Sequence, residues 1–525
     1  MLLDADLTVL LFGLVVVSLV LSHIHSRLFS RASLPDELPW VGAKGSALSR
    51  AKAVLLSVVK TRQYLEEGYY KYSKQNKPYV LPNILTGPEV IIPMSQLRWL
   101  LEQPDSILSQ NEVNRQFLEA DYTMLHPNII RDTVHERVIR REMTNQLGPL
   151  TEDMVDEVEF ALEQNWGVDT EEWREVPVYD TMADIIRRIS NRVLVGVPLC
   201  RDKDYLKSSG SFSRNVVITA GMINLLPHFL RPYIIPMIQK RKEQIAKNEK
   251  FPVSSYKEQN DYIQWALRHA FKHWDPNERT SEMISKRLAV LSFAAIQSSV
   301  ITMTNTLFDL VSSPFAAGFM SDLRNEVELE LGQESGSWTK TCLARMTHID
   351  SALRESMRLC GFVSRGVLKM VVAPEGVTLP DGTHLPPGTK VGVSAYSIHH
   401  DESAYSGAYI YDAFRFSRPS KDAAKVECVT ANKAEKAARD ALKGKTPALV
   451  TTSDTFMAFS HGRHACPGRF FAAHQLKLTL AHIMLNYDIE PLAERPENKW
   501  LVSSIGPPMK STIRVKRRPG TVGAI

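Results

Sequence analysis

Cysteine is scarce in this 525-residue chain: five residues, Cys200, Cys342, Cys360, Cys428 and Cys466, stand far apart and include no Cys-x-x-Cys pair. An odd number at such spacing excludes a disulfide framework and a cysteine-type zinc site, and points to a reducing compartment. No Asn-x-Ser/Thr sequon occurs, in keeping with a body that stays on the cytosolic side. Excess charge is also small. The net value of +5 with a pI near 8.7 is too diffuse to argue for nucleic acid. Between residues 96 and 249 there is neither a repeat nor a long low-complexity tract. Hydrophobic residues make up 44 % and charged residues 23 %, an ordinary globular balance with ample material for a large core.

Long uncharged runs are rare too, and one stands out. Residues 7–24 carry no charge and are just long enough to span a bilayer with little tilt. Asp4 and Asp6 precede this run, while His25, Arg27 and Arg31 follow it, so the positive flank puts the body in the cytosol. A cleaved signal peptide would have a basic leader and a small-residue cleavage site. The acidic leader favours a retained anchor. The expected division is an anchor with its flanks over 1–32 and one folded unit over 33–525, entered through the proline-containing connector 33–42.

Within the folded unit the pattern predicts a helix over 51–75 and short strands at 79–82 and 89–93. Residues 96–249 read as mostly helical, with breaks near Pro127, Pro198 and Pro227. Residues 225–237 are apolar with three prolines, and suit either core packing or a loop lying on a membrane and feeding apolar substrate inward. Between Pro276 and Pro314 there is no proline or glycine, which predicts a long helix capped by Thr280 or Ser281. Its uncharged middle, 291–300, should be buried on most sides. Thr347-x-x-Asp350 looks like a capping box opening a second helix. Residues 367–393 read as strands and turns, and 418–453 as a polar surface insertion with a helix near 432–442.

The chemistry centres on Phe459-Ser-His-Gly462-Arg463-His464-Ala-Cys466-Pro467-Gly468. A lone cysteine is most often a small buried hydrophobe. Here Pro467 suits the first turn of a helix, which would place Cys466 at a helix N-terminus that favours a thiolate. Gly462 and Gly468 permit tight turning and close approach of something large and flat. A thiolate so held is a good axial ligand for haem iron. Upstream, Glu355 and Arg358 share a helix face. By itself such a pair is usually a surface salt bridge worth well under about 1 kcal/mol.

This stretch resembles the cysteine loop of the cytochrome P-450 superfamily, F-x-x-G-x-R-x-C-x-G, through Phe459, Gly462, Cys466 and Gly468. His464 stands where the family has arginine, leaving either His464 or Arg463 to meet a haem propionate. The resemblance covers about residues 35–515 and implies a mainly α-helical prism with a small β-rich lobe, preceded by a transmembrane helix. It implies haem bound through Cys466, and a buried structural triad of Glu355, Arg358 and Arg415. Residues 294–299 are similar to the family's oxygen-binding motif, but Ala295 replaces glycine, Gln297 the acid and Ser298 the threonine. A serine hydroxyl still donates and accepts, whereas Gln297 cannot carry a proton as a carboxylate does. Arg365 occupies a place where the family often supplies a propionate-binding arginine. The basic segment 126–141 suits a propionate, an acidic electron donor or simple solvation.

The implied activity is monooxygenation of a small apolar substrate with O2, using electrons from NADPH through a membrane reductase at the endoplasmic reticulum. Residues 191–200 and the His-Ala-Cys-Pro-Gly-Arg-Phe-Phe form look like fungal secondary-metabolism members, which oxidise terpenoids, polyketides or alkaloids. Ent-kaurene-type diterpene oxidation is one specific reading. Two alternatives stand beside it: a haem-thiolate isomerase or synthase that needs no reductase, and a non-enzymatic haem protein that binds an apolar ligand.

Overall fold

Where the chain runs without proline or glycine, the computed structural model forms the longest helix among its described residues, Ser281–Val311, of 31 residues. The structure describes residues 34–210, 212, 216, 260–270, 275–418 and 447–519. The anchor expected at 1–32, the three-proline stretch 225–237 and the helix expected near 432–442 lie outside the described residues.

Thr280 caps the long helix: its backbone is extended and its hydroxyl accepts the Met283 amide at 3.2 Å. That satisfies one of the free first-turn donors. The helix stops just before Pro314, which cannot continue it. Burial is distributed differently from the expectation. Nearly every residue from Ser299 to Val311 is buried, but in the uncharged middle Ala294 is exposed and Ala295, Gln297 and Ser298 are half-buried. Small side chains there do not reach a neighbouring element, so one face stays open. Among the described residues this is the one helix long and apolar enough to cross a membrane, yet 56 % of its apolar window is buried inside the fold. It is a core helix.

Helices Val178–Val195, Thr347–Cys360 and Arg469–Asn486 pack on it, and Thr144–Trp166 packs on the first and last of these. Val178, Met182, Ile185, Ile186, Ile189 and Val193 recur at helical spacing and are fully buried. Each such side chain stabilises the fold by about 1.5–3 kcal/mol. The mainly helical body therefore has one dominant core, which also holds Met303, Leu307 and Phe308 from the long helix.

The β-rich lobe is a five-stranded sheet in the order Tyr79–Leu81, Glu89–Ile91, Lys390–Val393, Gly366–Val371, Leu108–Ser109. Only the Glu89–Ile91 and Lys390–Val393 pair is parallel. A three-stranded antiparallel sheet joins Arg174–Pro177, Thr512–Arg517 and Tyr487–Ile489, and Lys499–Leu501 with Ser504–Gly506 forms a separate hairpin. The first predicted helix runs Ala47–Lys71, and Ser73–Gln75 forms a 3-10 turn after it.

Helix Thr347–Cys360 does not begin with the expected capping box. Thr347 is already helical, and the cap is Glu326 from helix Ala316–Gln333. Its carboxylate accepts the amides of His348 at 2.7 Å and Ile349 at 2.9 Å. Asp350 is thereby free to accept Lys477 at 3.0 Å. A charged acceptor from a packed neighbour replaces a local one.

Two measurements follow. Glu326→Ala removes both cap acceptors and lowers unfolding free energy by about 1–2 kcal/mol, read from the urea midpoint. Burial holds His135, His399 and His482 down to about 3, and His400 and His474 to about 4. Between their ordinary value and those folded values the unfolded chain binds protons that the native chain does not. Stability is therefore complete above the ordinary histidine range and falls as pH drops below it, by up to about 1.4 kcal/mol per pH unit for each ring. A urea midpoint that stays flat from neutral pH down to mildly acidic pH would show that these rings are charged in the fold.

Candidate active site

The cysteine loop is closed by its own backbone. Cys466 N–H donates to the Phe459 carbonyl at 2.8 Å, and Ala465 N–H to the Gly462 carbonyl at 3.1 Å. Gly462 has φ +73°, and a Cβ there would come within 2.7 Å of Leu101 Cδ2, so both conformation and space require glycine. Pro467 precedes the helix instead of starting it: Gly468 is the N-cap and the helix runs Arg469–Asn486. A Cβ on Gly468 would meet nothing nearer than Ile139 Cγ2 at 4.0 Å. Its role is an open face beside the cysteine.

Cys466 is half-buried, and Arg469 donates to its carbonyl at 2.9 Å. Burial pushes the Cys466 thiol up, against the opposing pull of the Gly468 amide and the Arg469 guanidinium. The loop alone does not pull the thiol down. A coordinated metal would, because it deprotonates its thiol ligand outright.

The basic residues of the loop have a carboxylate partner that the sequence pattern did not suggest. Asp105 accepts His464 Nε2 at 2.7 Å and Arg463 Nη2 at 3.2 Å, and Arg463 also donates to the Gln103 carbonyl at 3.1 Å. Buried Lys369 holds the same segment by donating to the Leu100 carbonyl at 2.8 Å. Arg365 is buried in an ion pair with Glu89, whose Oε1 also accepts Asn83 at 3.0 Å and Thr86 at 2.9 Å. Arg365 Nε is left without a partner among the described residues. The basic segment 126–141 leads into a π-helical turn, Ile139–Met143, whose Ile139 faces Gly468.

On the long helix, Ser298 Oγ donates to the Ala294 carbonyl at 3.2 Å, and Thr302 Oγ1 donates to the Ser298 carbonyl at 2.9 Å. Back-bonding of this kind parks a hydroxyl without using up its acceptor capacity. Gln297 lies beside it, half-buried.

Glu355, Arg358 and Arg415 meet directly. Glu355 is fully buried, and its carboxylate accepts Arg358 at 2.7 and 2.8 Å and Arg415 Nε at 2.8 Å. Arg358 continues to the carbonyls of His399 and of Ala408, the latter at 2.7 Å. Arg415 donates to the carbonyls of Ser406 at 2.6 Å and Gly407 at 3.1 Å. Two participants escaped the sequence reading. Arg354 lies 3.6 Å over the Phe456 ring and donates to the carbonyls of Ala448 and Thr451, both at 2.7 Å. His399 Nε2 accepts the Met457 amide at 3.0 Å. Nothing in local spacing marks either one; only their place beside the E-x-x-R pair and its downstream segment could have raised them.

The family model described as cytochrome P-450 matches residues 113–511. The chain belongs to the cytochrome P-450 family. It is 31 % identical to cytochrome P-450 monooxygenase gloP of Glarea lozoyensis, over 98 % of this chain and 96 % of that protein. Cytochrome P-450 monooxygenase htyF of Aspergillus rugulosus is 32 % identical over 87 % of this chain and 68 % of its own length. Cytochrome P-450 monooxygenase polB of Polytolypa hystricis is 30 % identical over 92 % and 94 %. This P-450 is thus an oxidoreductase of the haem-thiolate monooxygenase class.

The residues present fit that prosthetic group. Among the described residues no group of three or more His, Cys, Asp or Glu could hold a metal ion. A single soft donor in a glycine-flanked loop suits iron that arrives with its own macrocycle.

Replacing Cys466 with serine should leave a reduced, carbon monoxide-treated preparation without the red-shifted Soret band of thiolate ligation; survival of that band would sink the ligand assignment. Glu355→Ala leaves two guanidiniums facing each other and should cost about 3–5 kcal/mol, seen as loss of soluble haem protein. Wild-type yield from that variant would show the triad to be dispensable.

Proposed function

We propose that this P-450 hydroxylates, or oxidises in several steps, a bulky apolar natural product of the terpenoid, polyketide or alkaloid class in fungal secondary metabolism. The observation that supports this is the face of the core helix that no neighbouring element covers at Ala294, with Ala295, Gln297 and Ser298 half-buried beside it and Ile296 turned into the core. Fungal relatives over nearly the full length support the setting. Residues 7–24 we read as a retained anchor at the endoplasmic reticulum, with the body facing the cytosol and an NADPH-dependent reductase as electron donor. The acidic leader and basic downstream flank support that orientation.

Bound haem supplies the iron at which dioxygen is held and activated. Cys466 would hold that iron from the cysteine-loop side. The small side chains of Ala294 and Ala295 would leave room beside that group, and the Ser298 hydroxyl would turn from the Ala294 carbonyl to pass a proton. Gln297 orients water by hydrogen bonding but does not itself change protonation. Arg463, Arg365 and the His464 ring are the groups that would meet propionates.

The second reading is a haem-thiolate isomerase or synthase acting without a reductase. The polar Gln297–Ser298 pair argues against it, since rearrangement needs no proton delivery to oxygen. NADPH consumption with reductase, O2 and candidate substrates separates the two: turnover that proceeds fully without reductant would overturn monooxygenation. In Ser298→Ala the carbon monoxide band should persist, product per NADPH should fall about tenfold or more, and peroxide should be released instead. Unchanged coupling would remove Ser298 from proton delivery.

A further inference from the structure

The helix that packs against the cysteine loop carries an acid on its loop-facing side, and nothing in the reaction chemistry above uses it. The chain runs from helix Val134–Val138 through the π-helical turn Ile139–Met143 into helix Thr144–Trp166. Single π-turns are rare and concentrate at functional sites. Ile139 is buried, and its Cγ2 lies 4.0 Å from where a Gly468 Cβ would stand, two residues after Cys466. Glu136, Ile139 and Arg140 are spaced i, i+3 and i+4, so the acid and the guanidinium share the side that Ile139 turns to the loop. Glu136 is half-buried, and its carboxylate lies 3.7 Å from Arg140 Nη2. The neighbouring charges are engaged elsewhere: Arg137 pairs with Asp132 at 2.7 Å, and Glu142 accepts His269 Nε2 at 3.1 Å.

The electrostatics agree with that placement. Burial pushes the Glu136 carboxyl up, and the charges opposing the rise are Arg140 and His464, the latter two residues before Cys466. The Cys466 thiol responds in kind. Behind the leading effect of burial, Glu136 pushes it up, while Arg469 and Arg140 pull it down. One acid and one base of opposite effect therefore sit side by side at the cysteine. A half-buried charge is screened by salt less than a fully exposed one, so their influence survives in solution.

We propose that Glu136 sets how readily this P-450 accepts an electron: its carboxylate, offset in part by Arg140, favours the ferric over the ferrous state of the iron held by Cys466. This rests on the haem-thiolate reading of Cys466. Reduction places one electron from the donor on the iron and its sulfur ligand, with no bond made or broken. Negative charge beside the sulfur opposes that addition, and positive charge assists it. The two side chains therefore act in opposite senses, and their effects cancel when both charges are removed.

The test uses the full-length holoenzyme, poised at a fixed potential with a redox dye, and reads the ferrous-to-ferric ratio from the haem spectrum. Glu136→Gln keeps the side chain's shape and removes its charge. The thiolate band with carbon monoxide should persist, and the ratio should rise about threefold or more. Arg140→Gln should lower the ratio by a similar factor, and the double variant should return to within about twofold of wild type. Lost packing has no reason to change sign with the charge removed. An unchanged ratio in Glu136→Gln, or shifts in the same direction in both single variants, would therefore overturn the proposal. If Glu136→Gln yields no haem protein, Arg140→Gln decides: a lower ratio supports the assignment, and an equal or higher one overturns it. A wild-type protein without a thiolate band would instead overturn the ligand assignment beneath it.

Discussion

A single carboxylate, Glu355, buried between two guanidiniums, is the constraint on which the cysteine side of the molecule depends. A buried ion pair is poor evidence for added stability, because desolvating its charges offsets much of their attraction. Its effect here is geometric. Arg358 and Arg415 spend their remaining donors on the carbonyls of His399, where a short helix ends, and of Ala408, Ser406 and Gly407 in the turns that follow. His399 and Ala408 are buried, and an unpaired carbonyl there would cost about 1–3 kcal/mol each. His399 then receives the Met457 amide, and Arg354 holds Ala448 and Thr451. The route from Glu355 to the cysteine loop is thus a chain of hydrogen bonds with few spare degrees of freedom.

The two faces of the site are built on opposite principles. The cysteine side is a short loop locked by backbone bonds, by a glycine in the left-handed region and by Arg463 and His464 bonded to Asp105. The long helix instead parks the hydroxyls of Ser298 and Ser299 on its own backbone, between alanines. Rigidity suits a group that must present one sulfur atom in one direction. Slack suits hydroxyls and waters that must reorient during turnover.

Features written in consecutive residues were legible: the Thr280 cap, the uninterrupted long helix, the two short strands before residue 93, and the E-x-x-R spacing. Features made by partners distant in sequence were not. Glu326 caps a helix whose own Thr347 and Asp350 fit the capping pattern, because a carboxylate carried in by packing is the stronger acceptor. Asp105 and Glu89 take up Arg463, His464 and Arg365 from far upstream, and no local pattern announces such pairing. The open strip at Ala294 was missed for a related reason. Apolar composition predicts burial, but alanine buries only if a neighbour comes close enough to cover it.

Although the cysteine loop is the most recognisable stretch, the E-x-x-R helix is the mechanical centre. Ile349 and Ser351 to Arg358 within it are buried and Asp350 is half-buried, so there is little solvent face on which to place its polar side chains. Each must be matched by something specific. Asp350 takes Lys477, Ser351 takes the Phe416 amide at 2.9 Å, Glu355 takes two arginines and Ser356 takes Asp309. Successive residues of a helix point about 100° apart, so Glu355 and Ser356 address different sides of the molecule. One binds the layer leading to the cysteine; the other binds the long helix and, through Asp309, the C-terminal chain. A displacement on either side is therefore felt by the same short rod.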